Sequence, residues 1–157
     1  MPNQQIIRTG TMCLFILLLT FGCQNKHNEH NINNETTKQD IINILKNETK
    51  YFCERNLEEW QSQWSHEPFV YKMYAGNNAF EEFVGWEEIN QFTVQHIEEN
   101  PTPIPLPDTN FDYDIYLFGE TAWVLYSKNV DGALARETRF MVKENNKWKI
   151  ARMQTIF

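Results

Sequence analysis

Apolar side chains recur at helical spacing from Thr37 to about residue 54, where Ile41, Ile44, Leu45 and Phe52, with Ile42 and Cys53 beside them, form one stripe. Thr37 stands where a helix cap belongs, so the spacing predicts a first helix over 37–54. A second, short helix follows, because Leu57, Trp60, Gln61 and Trp64 lie three and four residues apart and bring both tryptophans to one face. Residues 68–74 read as a first strand and 80–84 as a second, with the turn chemistry of Ala75-Gly-Asn-Asn between them. Helical periodicity returns over 86–99, with Trp86, Ile89, Phe92 and Ile97 on one side and Glu87, Glu88, Asn90 and Glu98 largely on the other. Pro101, Pro103, Pro105 and Pro107 then impose a stiff extended connector. Strand-like runs follow at 111–118, 122–128, 137–143 and 148–157, separated by Gly119-Glu-Thr, Asp131-Gly132 and Asn145-Asn146, which suit antiparallel hairpins.

Helices first and hairpin-linked strands afterwards define an α+β domain: a curved antiparallel sheet with about three N-terminal helices packed on one face. Such a sheet closed by helices makes a cone, and its open end is a natural pocket.

The segment before the first helix is of another kind. Residues 1–22 carry one cation, Arg8, an apolar run over 12–21 and a small residue, Gly22, before Cys23. These are the parts of a cleaved export signal, and the apolar run is shorter than the roughly twenty residues of a membrane-spanning helix. Residues 23–36 are Asn-rich, with His27, His30 and only Ile32 to bury, which reads as a flexible tether leading to a domain over 37–157.

The whole chain has a formal charge of -7, and removal of 1–22 takes away Arg8 and no acid, so the remainder is more acidic still. Basic residues are scattered, which excludes nucleic acid as the expected partner. Cys13 lies in the signal and Cys23 at its end, leaving Cys53 alone in the domain with no intramolecular disulfide to form. The core must hold itself together, and 41% hydrophobic and 14% aromatic residues are enough for one domain.

Two resemblances sharpen this picture. Cys23 directly after Leu-Thr-Phe-Gly resembles the lipobox of bacterial lipoproteins, although Thr20 stands where that pattern prefers leucine and Leu19 lies one place earlier. It implies a lipid on Cys23, anchoring to a bacterial membrane, and a location in the cell envelope; without lipidation the protein would be secreted. The domain resembles the nuclear transport factor 2-like superfamily in its opening Lys38-Gln-Asp-Ile-Ile helix, Asn56-Leu-Glu-Glu-Trp60, Gly85-Trp86, and Gly119-Glu-Thr-Ala-Trp-Val-Leu-Tyr126. Glu137-Thr-Arg139 and Lys147-Trp148-Lys-Ile150 are the most specific pieces. The wording is nearest the branch holding the association domain of calcium/calmodulin-dependent protein kinase II and the SnoaL-like or DUF4440-type bacterial proteins. The resemblance implies a shared fold and an arginine at position 139 that points into the cone. The closing strand of that branch often reads Trp-x-Ile-x-His-x-His, whereas Arg152 and Gln154 stand in the places of those histidines here, which removes any histidine-based mechanism taken from relatives.

Alternation puts Glu137, Arg139 and Met141 on one strand face. An inward Arg139 either binds a carboxylate or phosphate through its forked donors or forms a structural ion pair with Glu137 or Glu48, which lies on the first helix's stripe. His96 falls on the apolar stripe of its helix, as a general base or as a core histidine. Asp112 and Asp114 share a strand face and form a weak carboxylate pair for acid and base work, but Phe111, Tyr113, Ile115 and Leu117 opposite them make the better core set. Trp60, Trp64, Tyr71 and Tyr126 line a pocket or fill it, and the resemblance adds Arg152, which stands in the place of a closing-strand histidine. No metal-ligand spacing, glycine-rich phosphate loop or Ser-His-Asp signature is present, and no cofactor is expected. Three functions remain open: a lipid-anchored, non-catalytic binder of a small anionic or aromatic molecule, an enzyme of the cyclase or isomerase kind, and an oligomerisation module working as a homodimer.

Overall fold

The computed structural model describes residues 21–76, 79–130 and 132–157, with side chains from Asn33 onward. The expected signal over 1–22 lies almost wholly outside the described residues, as does the Cys23 side chain. The chain divides into two units, Met1–Glu35 and Thr36–Phe157. In order, the elements are α1 (Phe21–Cys53), α2 (Leu57–Ser62), β1 (Tyr71–Ala75), β2 (Phe80–Val84), α3 (Trp86–Glu99), β3 (Asp114–Phe118), β4 (Thr121–Val130), β5 (Ala133–Glu144) and β6 (Lys147–Ile156).

α1 begins well before Thr37, so the stretch expected as a tether has helical backbone here. No proline or glycine interrupts residues 24–37, and a helix once nucleated extends at little cost per residue. α2 starts where Asn56 accepts a hydrogen bond from the Glu59 amide, and α3 follows Gly85, whose φ of 86° turns the chain out of β2. The Gly85 amide donates to the Val70 carbonyl at 2.8 Å, which ties that turn to the residue before β1.

The strands form one six-stranded sheet in the order β2-β1-β6-β5-β4-β3. It is mixed, a correction to the expected antiparallel sheet, because β1 pairs parallel to β6 while the other neighbours are antiparallel. Turn chemistry announces hairpins, but nothing local announces that the first strand will lie beside the last.

One irregularity decides what faces the core. Between β5 and β6, Phe140 pairs with Arg152 and Met141 with Ile150, so Ala151 is an extra residue on the β6 side. Ile150 and Ala151 are both buried, and beyond them the alternation runs in the opposite phase: Met153 and Thr155 are buried while Arg152 is exposed. A bulge of one residue thus transfers Arg152 and Gln154 to the outer face, which corrects the expected place of Arg152 in the pocket set.

The inner face packs under the helices. Ile41 and Leu45 of α1, Trp60 of α2, Ile89 of α3 and the connecting Trp64 and Val70 bury themselves against Ala122, Val124, Met141 and Ile150. Trp60 and Trp64 are fully buried, and the backbone next to Trp64 is stitched to β6 by Ser65 N–H to Ile150 O and Ile150 N–H to Gln63 O, each 2.9 Å.

Deletion of Ala151 removes the doubled residue and should leave Arg152 outward and Met153 and Thr155 inward in regular pairing with β5, so the variant should keep a cooperative thermal transition. Loss of that transition in a circular-dichroism melt would show that the facing of β6 does not follow from the one extra residue.

Candidate functional site

Cross-strand register places the chemistry in two adjoining rows of the inner face. One runs Val124, Arg139, Met153, Lys72 across β4, β5, β6 and β1, and the next runs Tyr126, Glu137, Thr155, Tyr74. Rows nearer the tryptophan end, such as Ala122, Met141 and Ile150, are apolar. Polarity therefore increases along the face, away from Trp64.

Arg139 is buried and lies 2.6 Å from Glu137 through Nη2, with Glu48 Oε2 at 3.6 Å from the same nitrogen. Glu137 also meets Lys128 at 2.7 Å and accepts from Thr155 Oγ1 at 2.9 Å. Burial pushes the Glu137 carboxyl up, but Arg139 and Lys128 outweigh it and hold the group ionised, below its ordinary range. Arg139 moves the other way: burial disfavours its charge, yet Glu137, the Tyr126 hydroxyl and Glu48 keep it firmly protonated.

Glu48 reaches this network from α1, where Ile41, Leu45, Glu48 and Phe52 follow one helical face. Trp60 Nε1 donates to its Oε1 at 3.0 Å and fixes the carboxylate from behind. Both acids pair with Arg139 through Nη2, so it forms the expected structural ion pair with Glu137 and Glu48; its Nε and Nη1 are buried without a hydrogen-bond partner of good geometry among the described residues, with the Tyr126 hydroxyl nearby.

Lys72 is the site residue that sequence reasoning missed. Its side chain is 4% exposed, and its ammonium lies over the rings of Phe92, Tyr74 and Trp60 at 5.4, 5.5 and 5.8 Å. Burial, only partly opposed by Glu48, pulls its pKa down to about 8. The signal was present in the alternation of Val70, Lys72 and Tyr74, which shares the inward phase of the buried Val70. The same phase turns Tyr71 outward, where its hydroxyl donates to Glu82 at 2.9 Å, so Tyr71 leaves the expected pocket set.

These groups enclose a cavity of about 180 Å³ lined by Glu48, Thr49, Phe52, Lys72, Tyr74, Lys128, Arg139 and Met153. Thr49, Phe52 and Lys128 also line a larger hollow of about 450 Å³, whose walls include Ile104, Pro105, Pro107, Phe111 and Tyr126. The two share those three residues as a neck. The proline connector is held as one wall of the mouth by Ile104 N–H to Cys53 O at 3.0 Å and Arg55 Nε to Thr102 O at 3.2 Å. Tyr126 stacks on Phe111 with ring centroids 5.1 Å apart, and burial raises its hydroxyl, like that of Tyr74, far above the ordinary tyrosine range.

Other expected residues lie elsewhere. Trp60 backs the cavity through Glu48, and Trp64 is core. His96 is half-buried on α3, its ring stacked on Phe52 at 5.4 Å and on Phe92 at 6.5 Å, outside the cavity lining. Asp112 and Asp114 are exposed, because Phe111, Tyr113, Ile115 and Leu117 take the inner side. Arg152 lines an outer-face groove with Trp123 and Phe140. Cys53 is a free, buried thiol whose pKa is raised by burial. Among the described residues no group of His, Cys, Asp and Glu is arranged to hold a metal ion, and no helix is long and apolar enough to cross a membrane.

No family model and no curated protein matches the chain. Solved structures do. A Streptomyces avermitilis protein named as a candidate dehydratase of the NTF2-like family superposes with a TM-score of 0.59 at 16% identity, covering 78% of this chain and 96% of its own. An NTF2-like protein of unknown function from Shewanella oneidensis gives 0.53 at 16% identity over 77% of this chain and 99% of its own. A cystatin-like fold protein from Burkholderia xenovorans gives 0.52 at 17% identity over 75% and 88%. Sequence identities this low speak for architecture alone: the chain has the α+β fold of the NTF2-like and cystatin-like proteins, N-terminal helices followed by a six-stranded mixed sheet.

Proposed function

We propose that this chain is a binding protein for a small organic anion, held at a bacterial membrane in the cell envelope by a lipid on Cys23. The observation that carries the binding reading is Arg139, which lines a cavity with Lys72 and Lys128 and whose buried Nε and Nη1 have no hydrogen-bond partner of good geometry among the described residues beyond the nearby Tyr126 hydroxyl. Three cations against Glu48 and Glu137 leave the site one positive charge in excess when Lys72 is protonated. A carboxylate completes that balance, and Arg139 offers it paired donors. The apolar mouth formed by Ile104, Pro105, Phe111 and Tyr126 suits a flat or branched hydrocarbon body attached to the acid. Export and lipidation rest on the sequence of residues 1–23. A cyclase or isomerase working through His96 or the aspartates finds less support, since none of the three lines the cavity.

Assembly is the second reading, favoured by a row on the outer face. Register aligns Tyr116, Trp123, Phe140, Arg152, Tyr71 and Val84 across the whole sheet, with Tyr116, Trp123 and Val84 about half exposed. A band of this kind on a soluble domain marks a contact surface, and a second copy would cover it.

Carboxylic acids with aromatic or branched tails should raise the melting temperature of the purified protein, and Arg139→Lys, which keeps the charge and loses the fork, should abolish most of that rise. A flat response across acids of varied tail would remove the anion reading.

Lys72 sets a stability test with a definite sign. Its folded pKa lies below its unfolded value of 10.5, so the cost of burying its charge is fully present below pH 8 and fades as pH rises from 8 to 10.5. Lys72→Met should stabilise the domain by roughly 1 to 3 kcal/mol at pH 7 and by little at pH 10.5, measured by urea denaturation of both variants. A gain of equal size at both pH values would mean that Lys72 is not a buried charge.

Light scattering should give a dimer for the parent and a monomer for Trp123→Lys. A parent that stays monomeric at high concentration sinks the assembly reading.

A further inference from the structure

Among the cations at the cavity, Lys128 is paired with Glu137 at 2.7 Å and Arg139 with both acids. Lys72 alone of these has no carboxylate within ion-pair distance among the described residues. A buried amine surrounded by rings and facing a second cation is the setting in which lysine becomes a nucleophile rather than a counter-ion. Burial that lowers its pKa to about 8 leaves roughly one amine in ten unprotonated at neutral pH.

Its position relative to Arg139 is equally specific. Met153 stands opposite both Arg139 and Lys72, so the two cations belong to one inner row, two strands apart. Their Cα atoms are then about 10 Å apart, and both side chains reach the same 180 Å³ cavity. A molecule spanning them needs a carboxylate at one end and an electrophilic carbon one bond away.

We propose that Lys72 captures a 2-oxo acid covalently, its Nζ condensing with the ketone carbon while Arg139 holds the adjacent carboxylate. The inference rests on the anion reading of this cavity. The ammonium gives a proton to solvent, and the free amine adds to the carbonyl carbon. Transfer of a second proton from nitrogen to the former carbonyl oxygen gives the carbinolamine. A proton from solvent goes to that hydroxyl, which leaves as water as the C=N bond forms. Ketone and ammonium thus become protonated imine and water, with no oxidant or reductant consumed. The product cation stays where the ammonium was, among Trp60, Tyr74 and Phe92, whose ring faces favour it. The acid's tail leaves through the neck at Thr49, Phe52 and Lys128 toward the mouth.

The test uses the full-length chain in detergent with pyruvate or phenylpyruvate and sodium borohydride, which reduces an imine to a stable secondary amine. Lactate and phenyllactate are the controls, being the same acids without the ketone. Peptide mapping by mass spectrometry should find the reduced adduct on Lys72 about tenfold above the exposed lysines, rising from pH 7 to 8. Lys72→Arg and Lys72→Met, each checked by its thermal melt, should both lack that adduct. Arg139→Lys should reduce it while leaving labelling of exposed lysines unchanged. Stabilisation by oxo and hydroxy acids alike, with Lys72 unlabelled or labelled no more than the surface, would overturn the covalent step and leave the anion site standing. No stabilisation by any of these acids and no adduct would remove both.

Discussion

Arg139 and Glu137, buried together 2.6 Å apart on the inner face of β5, form the contact around which the charged end of the domain is arranged. An ion pair without water holds only if its remaining valences are met from several directions. Here Thr155 comes from β6, Lys128 and Tyr126 from β4, and Glu48 from α1, itself held by Trp60 of α2. One pair therefore constrains two further strands and two helices. Breaking it by removing a single partner would strand a charge, which costs far more than the pair contributes.

The same demand explains why the bulge at Ala151 matters beyond geometry. Were Ala151 paired in regular register, Gln154 and Arg152 would face inward, adding a second guanidinium beside Arg139 and withdrawing Thr155 from Glu137 and Met153 from the space between Arg139 and Lys72. The bulge thus keeps one row mixed and the next row polar, and it sends Arg152 to a sheet face where water screens its charge. Core and cavity share the inner face because the apolar rows lie toward Trp64 and the polar rows toward Lys128.

Lys72 fits neither purpose of a structural charge. It has rings beneath it where the other cavity cations have carboxylates, and burial lowers its pKa with only partial opposition from Glu48. Structural ion pairs relieve burial, whereas Lys72 keeps most of its cost, which makes it a candidate for a working site. Fold similarity to NTF2-like and cystatin-like proteins supplies the scaffold and leaves the chemistry to these side chains.

Local periodicity by itself determined the element order, the bounds of α3 and β2, the hairpins of the second half, and the shared face of Glu137 and Arg139, while the family resemblance supplied the inward direction of that face. Those features depend on neighbours three, four or two residues away, which is the range that a sequence displays. The position of Glu48 on the helical stripe was legible for the same reason. Tertiary structure alone decided that β1 lies parallel to β6, because that pairing joins strands with most of the domain between them. It also decided that Ala151 would be doubled against β5 and reverse the facing of Arg152, since a bulge is a property of two strands and leaves no mark on one. The meeting of Lys72 with Arg139 follows from both, and no spacing along the chain could have carried it.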